Sequence, residues 1–579
     1  MGPILNKQKK TDTNFLSFSF DGSEITCQSG VSIGAALTAA DHFGLRKTPL
    51  GDRRGIFCGM GVCQECRVIV DGEHSVRACM TPARSSSTVL TGDTHISDGP
   101  TELPVVDIES VEIVTPDLLV VGAGPAGAIA ASIAAEAGLD VSILDERHSI
   151  GGQYYKQPAS PNLMPESLTT DKQFSGGRRL IKRLMKSGAS VQTGVQIWGA
   201  FTPNELAVYD GVKHKIFRAK KTIVATGAYE RGLPVSGWTL PGVMTTGAAQ
   251  ALLRSYGILP GQRILVAGNG PLNLQAALEL SEAGAEVIGV AELGEKPGVA
   301  ALFSSGLKMG LNSPRLAFNG LRYLLSLKKL GVPIFYGHRL ESIEKKSTGL
   351  KVRIVPTQHG SLSSEYSWDV DTVCMGYGFQ PSNEILRSLG CSHAYDENRG
   401  HLVTNRNYDC ETSVPGIYAI GDCTGLRGAP SALLEGVIAS ISVLKSMDKR
   451  VSFSLMIENV IAVIARYQHK VFQSALWKLF DARRYHFEFA TSDTIVCRCE
   501  NVNLGDIEQL LDNCAGSIGY LKRQTRLGMG PCQGRYCAPV AAAMIAKHYQ
   551  TPIDEFSFFA PQVPLKPIRI ADIVSGKKT

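Results

Sequence analysis

The sequence predicts an α/β chain built on two dinucleotide-binding βαβ units, with a β-grasp-like domain ahead of them and a small α-helical domain behind. Three observations predict it. A strand, glycine-rich turn, helix and second strand run from Asp117 to Asp145. A similar series runs from Arg263 to Glu292. Eight of the fourteen cysteines fall into two tight groups near opposite ends of the chain. With 579 residues there is room for roughly three or four domains with ample cores.

Composition narrows the class. The chain is 44% hydrophobic and 19% charged, as in ordinary soluble proteins. A net charge of +6 without blocks of like charge gives no sign of nucleic-acid binding. Met1 to Asn14 is polar, and no uninterrupted apolar run reaches the ~18 residues of a membrane span. The default expectation is a cytoplasmic protein with no transmembrane segment.

Residues 15–97 read as short alternating strands, such as Leu16 to Phe20 and Arg67 to Val70, closed by Asp-Gly turns. Within them Cys58, Cys63, Cys66 and Cys79 follow the plant-type [2Fe–2S] spacing. Gly55, Gly59 and Gly61 allow the loop to wrap a cluster, and Arg53, Arg54, Arg67 and Arg77 bring positive charge to it. A tetrahedral zinc site is the alternative. Residues 98–116, with Pro100, Pro104 and Pro116 and no helical period, read as a linker.

Residues 116–445 form the principal domain. Leu118 to Val121 is a buried-type strand leading into Gly122, Gly124 and Gly127. The first two glycines let the backbone approach a pyrophosphate at a helix N-terminus, and the third lets helix and strand pack closely. Asp145 ends the next strand at the count expected of a ribose acceptor, which favours it over Glu146. An inserted second unit, about 240–345, repeats the pattern with Gly268 and Gly270, but Asn273 stands where the third glycine is expected. That leaves open whether NAD(P), another nucleotide or nothing enters there. Residues 446–490 read as a helical connection whose aromatics, Tyr467, Phe472 and Trp477, pack in a core.

Residues 491–545 hold the second group, Cys497, Cys499, Cys532 and Cys537, with Gly528, Gly530 and Gly534 around it and Arg498, Lys522, Arg523, Arg526 and Arg535 to offset negative charge. Zinc competes here too, although the Cys-x-Cys bite is narrow for it. Residues 546–579 are punctuated by proline and read as an extended tail over a neighbouring domain or partner. The other six cysteines are scattered. Cys423, beside Asp422, reads as a small buried hydrophobe, and no dithiol accompanies the glycine-rich motifs. The twelve histidines are scattered as well, so no catalytic residue is assigned.

Further motifs carry a resemblance. Gly151-Gly152-Gln153, the strand and turn ending at Thr226-Gly227, and the strand ending at Gly421-Asp422 resemble, with the first βαβ unit, the FAD site of two-dinucleotide-binding-domain flavoproteins. Carried over by position, Gly122, Gly124, Gly127, Asp145, Gly152, Gln153, Thr226, Gly227, Gly421 and Asp422 would hold FAD. The C-terminal cysteines resemble the bacterioferritin-associated-ferredoxin type of [2Fe–2S] domain.

With Ala228 to Pro234, Gly237 to Val243 and Gly376 to Phe379, nearly the whole chain is similar to the large subunits of heteromeric amine and imino-acid dehydrogenases. These are the opine oxidase, hydrogen cyanide synthase and D-hydroxyproline dehydrogenase type, with the small ferredoxin-like subunit fused at the N-terminus. The resemblance implies FAD, two [2Fe–2S] clusters and an FAD-bearing partner like a D-amino-acid oxidase, and it admits FMN at the partner interface. Electrons would pass to a quinone, cytochrome or oxygen, an acceptor through which membrane association, where present, would run, and the isolated chain would not oxidise an amino acid, opine or imino acid. The competing reading is a self-contained NAD(P)H-dependent ferredoxin-type reductase.

Overall fold

A computed structural model describes residues 15–92, 111–160, 163, 171–358, 364–480, 485–570 and 573. Most of the expected linker therefore lies outside the described residues. Its last part, Glu112–Val114, is a strand that pairs in parallel with His214–Arg218.

The N-terminal domain is a five-stranded sheet in the order Ser23–Gln28, Phe15–Phe20, Thr88–Thr91, Arg67–Val70, Glu73–Arg77, with the helix Ile33–Ala39 against it. Alternation dictates the strands: Phe18 and Phe20 point into the core while Ser17 and Ser19 point away. Ser32 caps the helix by accepting from the Ala35 N–H at 3.2 Å.

The first dinucleotide unit is a parallel sheet in the order Ser190–Thr193, Val141–Asp145, Leu118–Val121, Lys221–Val224, Ile417–Ala419. Leu118 to Val121 are all buried, as an unbroken apolar run demands when both faces are covered: Leu118 and Val120 face the helices, and Leu119 and Val121 face Ile197, Leu206, Val208 and Phe217 of an antiparallel sheet. Helix Pro125–Glu136 packs on this sheet and against helix Ala429–Ser446. Ala429–Ser446 has the length and hydropathy of a membrane span, yet it is 67% buried as a core helix.

The second unit is also parallel, in the order Val243–Thr245, Thr372–Gly376, Arg263–Gly268, Glu286–Glu292, Ile334–Tyr336. Its sheet extends past residue 345 to Gly376, because an antiparallel ribbon over 338–370 intervenes before the last parallel strand. Alternation in the ribbon resembles a return to the first unit, and only strand pairing reveals the difference.

Helix Phe453–Leu479 crosses between the units. Phe472 is buried, whereas Tyr467 is 69% exposed, contrary to its reading as a core residue. The C-terminal domain packs helices Ile518–Thr525 and Ala538–Tyr549 around Val496, Leu521, Leu527 and Met544. The tail lies over the first unit, where the Leu565 N–H donates to the Trp198 carbonyl at 2.7 Å and the Pro567 carbonyl accepts from Gln196 at 2.8 Å.

Candidate functional site

A cavity of about 580 Å³ runs along the first glycine-rich turn and is lined by Gly122, Gly124, Asp145, Gly152, Gln153, Thr226, Gly227, Gly421 and Asp422. Of the ten residues singled out for FAD, only Gly127 is missing from that lining, and its place explains why: a Cβ there would collide with the Gly122 carbonyl. Gly127 thus serves helix packing. Gly122 has φ +102° and a Cβ on it would strike the Ala225 carbonyl. Gly124 differs, since a Cβ there would meet nothing nearer than Gly152 Cα at 3.9 Å. The space before Gly124, at the N-terminus of helix Pro125–Glu136, suits a pyrophosphate.

Both acids are set by backbone donors. Asp145 accepts from the Ala123 N–H at 2.7 Å and the Arg147 N–H at 2.8 Å. Asp422 accepts at one oxygen from the Arg427 and Gly428 N–H groups at 2.9 and 2.8 Å, leaving the other oxygen for a ligand. Burial raises the carboxyl of each. Thr226 donates to the Ser382 carbonyl, which fixes the turn at Gly227. Glu146 lines the same cavity and pairs with Arg77 at 2.6 Å and with Lys566, joining the N-terminal domain and the tail to the first unit. Burial would raise its carboxyl, but Lys566 and Arg77 outweigh that and hold it at about 2. Cys423 is fully buried and donates to the Ile420 and Val224 carbonyls, a structural thiol.

The second turn is built differently. Asn273, fully buried, donates to the Gly376 carbonyl at 2.9 Å and accepts from Thr246. Glu292 accepts from the Gly270 N–H at 3.1 Å, from Asn269 and from the Gly294 N–H. Helix Phe453–Leu479 closes over the turn: Asn269 donates to the Phe480 carbonyl at 3.0 Å, and the Trp477 ring lies against Gly270. The Gly270 N–H, one donor a phosphate would use, is thus taken by Glu292, while Asn269, Gly270, Pro271 and Leu272 border the far end of the large cavity.

The eight cysteines come together as two sets of two pairs. Hydrogen bonds join Cys58 with Cys63, Cys66 with Cys79, Cys497 with Cys537 and Cys499 with Cys532. In each pair the bond lowers one thiol and raises the other; burial would raise Cys58, but Cys63 and backbone donors bring it to about 6. Backbone amides point at the sulfurs, among them Cys63 N–H to Cys58 at 3.3 Å and Cys79 N–H to Cys66 at 3.4 Å. Among the described residues no three His, Cys, Asp or Glu converge on one ion position. Paired thiols fit a two-iron cluster, two per iron, better than a single tetrahedral ion.

Charge around the sets was only partly visible in the sequence. Buried Glu65 receives Arg46 at 2.9 Å and lies 3.8 Å from Arg498. The Arg498 guanidinium stacks 3.9 Å from the Phe57 ring centre and 4.7 Å from that of Trp238. Arg46, Arg54 and Arg498 each keep a buried guanidinium nitrogen without a hydrogen-bond partner, and these donors suit an anionic cluster. Cys58 lines the large cavity, and Cys63 shares a small void with Cys497, Cys499, Cys532 and Cys537. Tyr536, packed on Phe57 and Tyr229, sits between. Glu65 and Tyr536 carried no sequence signal, since neither belongs to a ligand pattern.

Fold and site define a flavoprotein-type dinucleotide-binding oxidoreductase joined to a [2Fe–2S] domain. Residues 116–441 match the pyridine nucleotide-disulphide oxidoreductase family, residues 13–93 a 2Fe-2S iron-sulfur cluster binding domain, and residues 491–577 the sarcosine oxidase A3 domain. The opine oxidase A subunit of Rhizobium meliloti is 30% identical over 79% of this chain and 98% of its own length. Hydrogen cyanide synthase subunit HcnB of Pseudomonas aeruginosa is 30% identical over 78% of this chain and 96% of its own. The L-proline dehydrogenase of P. horikoshii shares the fold, with TM-score 0.70 and 17% identity over 98% of this chain and 99% of that one. The chain belongs to the family of opine oxidase A subunits and HcnB, with a [2Fe–2S] domain fused at its N-terminus.

Proposed function

We propose that this chain is the electron-relay subunit of a heteromeric dehydrogenase acting on an amino acid, opine or imino acid, with substrate oxidation on a partner resembling a D-amino-acid oxidase. The observation that carries this is contiguity: Cys58 lines the cavity of the first turn, and Cys63 shares a void with the C-terminal cysteines. When bound, FAD and two [2Fe–2S] clusters supply the conversion of a two-electron oxidation into single-electron delivery to a quinone, cytochrome or oxygen. Gly122, Gly124, Asp145, Gly152, Gln153, Thr226, Gly227, Gly421 and Asp422 hold the flavin, with Gly127 setting the helix that faces it. Cys58, Cys63, Cys66 and Cys79 hold the first cluster, and Cys497, Cys499, Cys532 and Cys537 the second.

A neighbouring cleft of about 480 Å³, which shares Tyr229, Glu384, Arg535 and Leu565 with the large cavity, includes Arg387, Lys522, Arg526, Phe558 and Phe559. Cations beside aromatic rings suit FMN at a partner interface. At the second turn, the Gly270 N–H taken by Glu292 and the Trp477 ring beside it support the relay reading over an NAD(P)H-dependent reductase. The test reduces the cofactor-loaded chain anaerobically. Opines, imino acids or glycine bleach its flavin only after the partner is added, and NADH does not bleach it. Bleaching by substrate or NADH with the chain alone overturns the assignment. Iron analysis should give about four irons per chain and little zinc for two full clusters.

A further inference from the structure

Helix Val299–Asn312 and helix Pro314–Lys329 follow each other directly and pack together, yet their apolar side chains face outward. Val299, Phe303, Leu311 and Phe318 are 84, 76, 74 and 66% exposed. Leu307 and Leu325 continue the stripe at three- to four-residue spacing, whereas the buried positions of the two helices are only Ser305, Met309 and Leu327. A soluble surface rarely carries so many large apolar groups together. The same stretch has no acidic residue from Lys296 to Leu340, while Lys296, Lys308, Arg315, Arg322, Lys328 and Lys329 are all exposed.

We propose that this helical pair lies on a membrane, its apolar stripe in the headgroup and acyl boundary and its cations on anionic phospholipid. Outward Phe and Leu flanked by Lys and Arg, with no acid to repel the headgroups, are the physical signature of an interfacial amphipathic segment. Charge complementarity favours an anionic lipid surface, since six exposed cations flank the apolar stripe with no acid between Lys296 and Leu340. The inner side of the pair contributes Met309, Leu316, Asn319, Gly320 and Tyr323 to the wall of the flavin cavity. Docking would therefore hold that wall at the depth where lipid-dissolved acceptors reside. The proposal stands on this surface alone and does not depend on the relay reading.

The test is flotation of the full-length, FAD-loaded chain with phosphatidylcholine vesicles, with and without phosphatidylglycerol. The protein should float with the anionic vesicles, and binding should fall roughly tenfold in about 0.5 M salt. Phe303→Asp combined with Phe318→Asp should abolish flotation. Lys328→Glu with Lys329→Glu, which disturbs no apolar contact, should weaken it roughly tenfold. Flavin absorbance and melting temperature report that each variant is folded. Absence of flotation on anionic vesicles, or flotation indifferent to both variants, overturns the proposal. So does a change of oligomeric mass in the Phe variant without any vesicle binding, which would make the face a protein interface.

Discussion

The two glycine-rich turns of this chain start alike and end as opposites. At the first, a cavity lies before Gly124, and the acid at the end of the next strand, Asp145, is steadied by the Ala123 N–H. At the second, which borders the same cavity, the equivalent acid, Glu292, bends back and takes the Gly270 N–H, Asn273 fills the place of a glycine, and the Trp477 ring lies against Gly270. A βαβ unit thus needs its helix N-terminus satisfied, but a ligand is only one way to do it. Where the chain supplies its own carboxylate, as Glu292 does for Gly270, that donor is satisfied without a ligand.

The largest expected effect breaks the first turn. Gly124→Val places a branched side chain where the pyrophosphate would lie while meeting little of the protein, since even the nearest atom is 3.9 Å from a Cβ there. Flavin content should fall to background with far-ultraviolet circular dichroism and iron content unchanged. A folded variant that keeps its flavin would falsify the placement of FAD.

The first turn and the cysteine spacings were legible because they are local: Gly122 to Asp145 and Cys58 to Cys79 are each fixed by a few residues of contiguous chain. What could not be read depends on chain separation. Glu65 meets Arg498 across more than four hundred residues, and Trp477 reaches Gly270 from a helix whose own period says only that one face is apolar. The end of the second unit was hidden for the same reason, because Thr372–Gly376 joins its sheet after an intervening ribbon. Asn273 was visible as a departure from the pattern, but not the hydrogen bonds that explain it.

Next in size is the anchoring of the first turn's neighbour. Glu146 joins Arg77 and Lys566 in a partly buried triad, so Arg77→Ala should cost about 1–3 kcal/mol, less than a fully buried pair. The sign with pH is fixed by its depressed carboxyl. Held at about 2 rather than 4.5, it contributes stability that is present above 4.5 and lost as pH falls through about 2. Acid unfolding followed by fluorescence should therefore show a shallower acid limb in Arg77→Ala, and an unchanged limb would mean the triad does not hold the domains.

A smaller effect comes from the second turn. Gly270 has φ +111°, so Gly270→Ala should destabilise by about 1–2 kcal/mol through strain and leave flavin content and NADH indifference as they were. Loss of FAD in this variant would mean that the second turn, rather than the first, serves the flavin.

The smallest effect, and the most specific, is expected of Glu292→Gln. Burial raises the Glu292 carboxyl from 4.5 to about 7, against the pull of the Gly294, Gly270 and Asn269 donors. A raised acid stabilises the fold fully below 4.5, and that contribution is lost as pH rises through about 7. Glutamine removes the titration but turns an amide donor or a lost acceptor toward the Gly270 N–H, a cost of about 1 kcal/mol that opposes relief of the buried charge. The two terms should nearly cancel at neutral pH, leaving the two melting temperatures within a few degrees of each other. The signature is the slope: the melting temperature of Glu292→Gln relative to the parent should climb between about pH 5 and 8. Parallel curves would show that Glu292 holds the second turn without carrying a proton there, and self-satisfaction of that turn would then rest on an ionised carboxylate throughout.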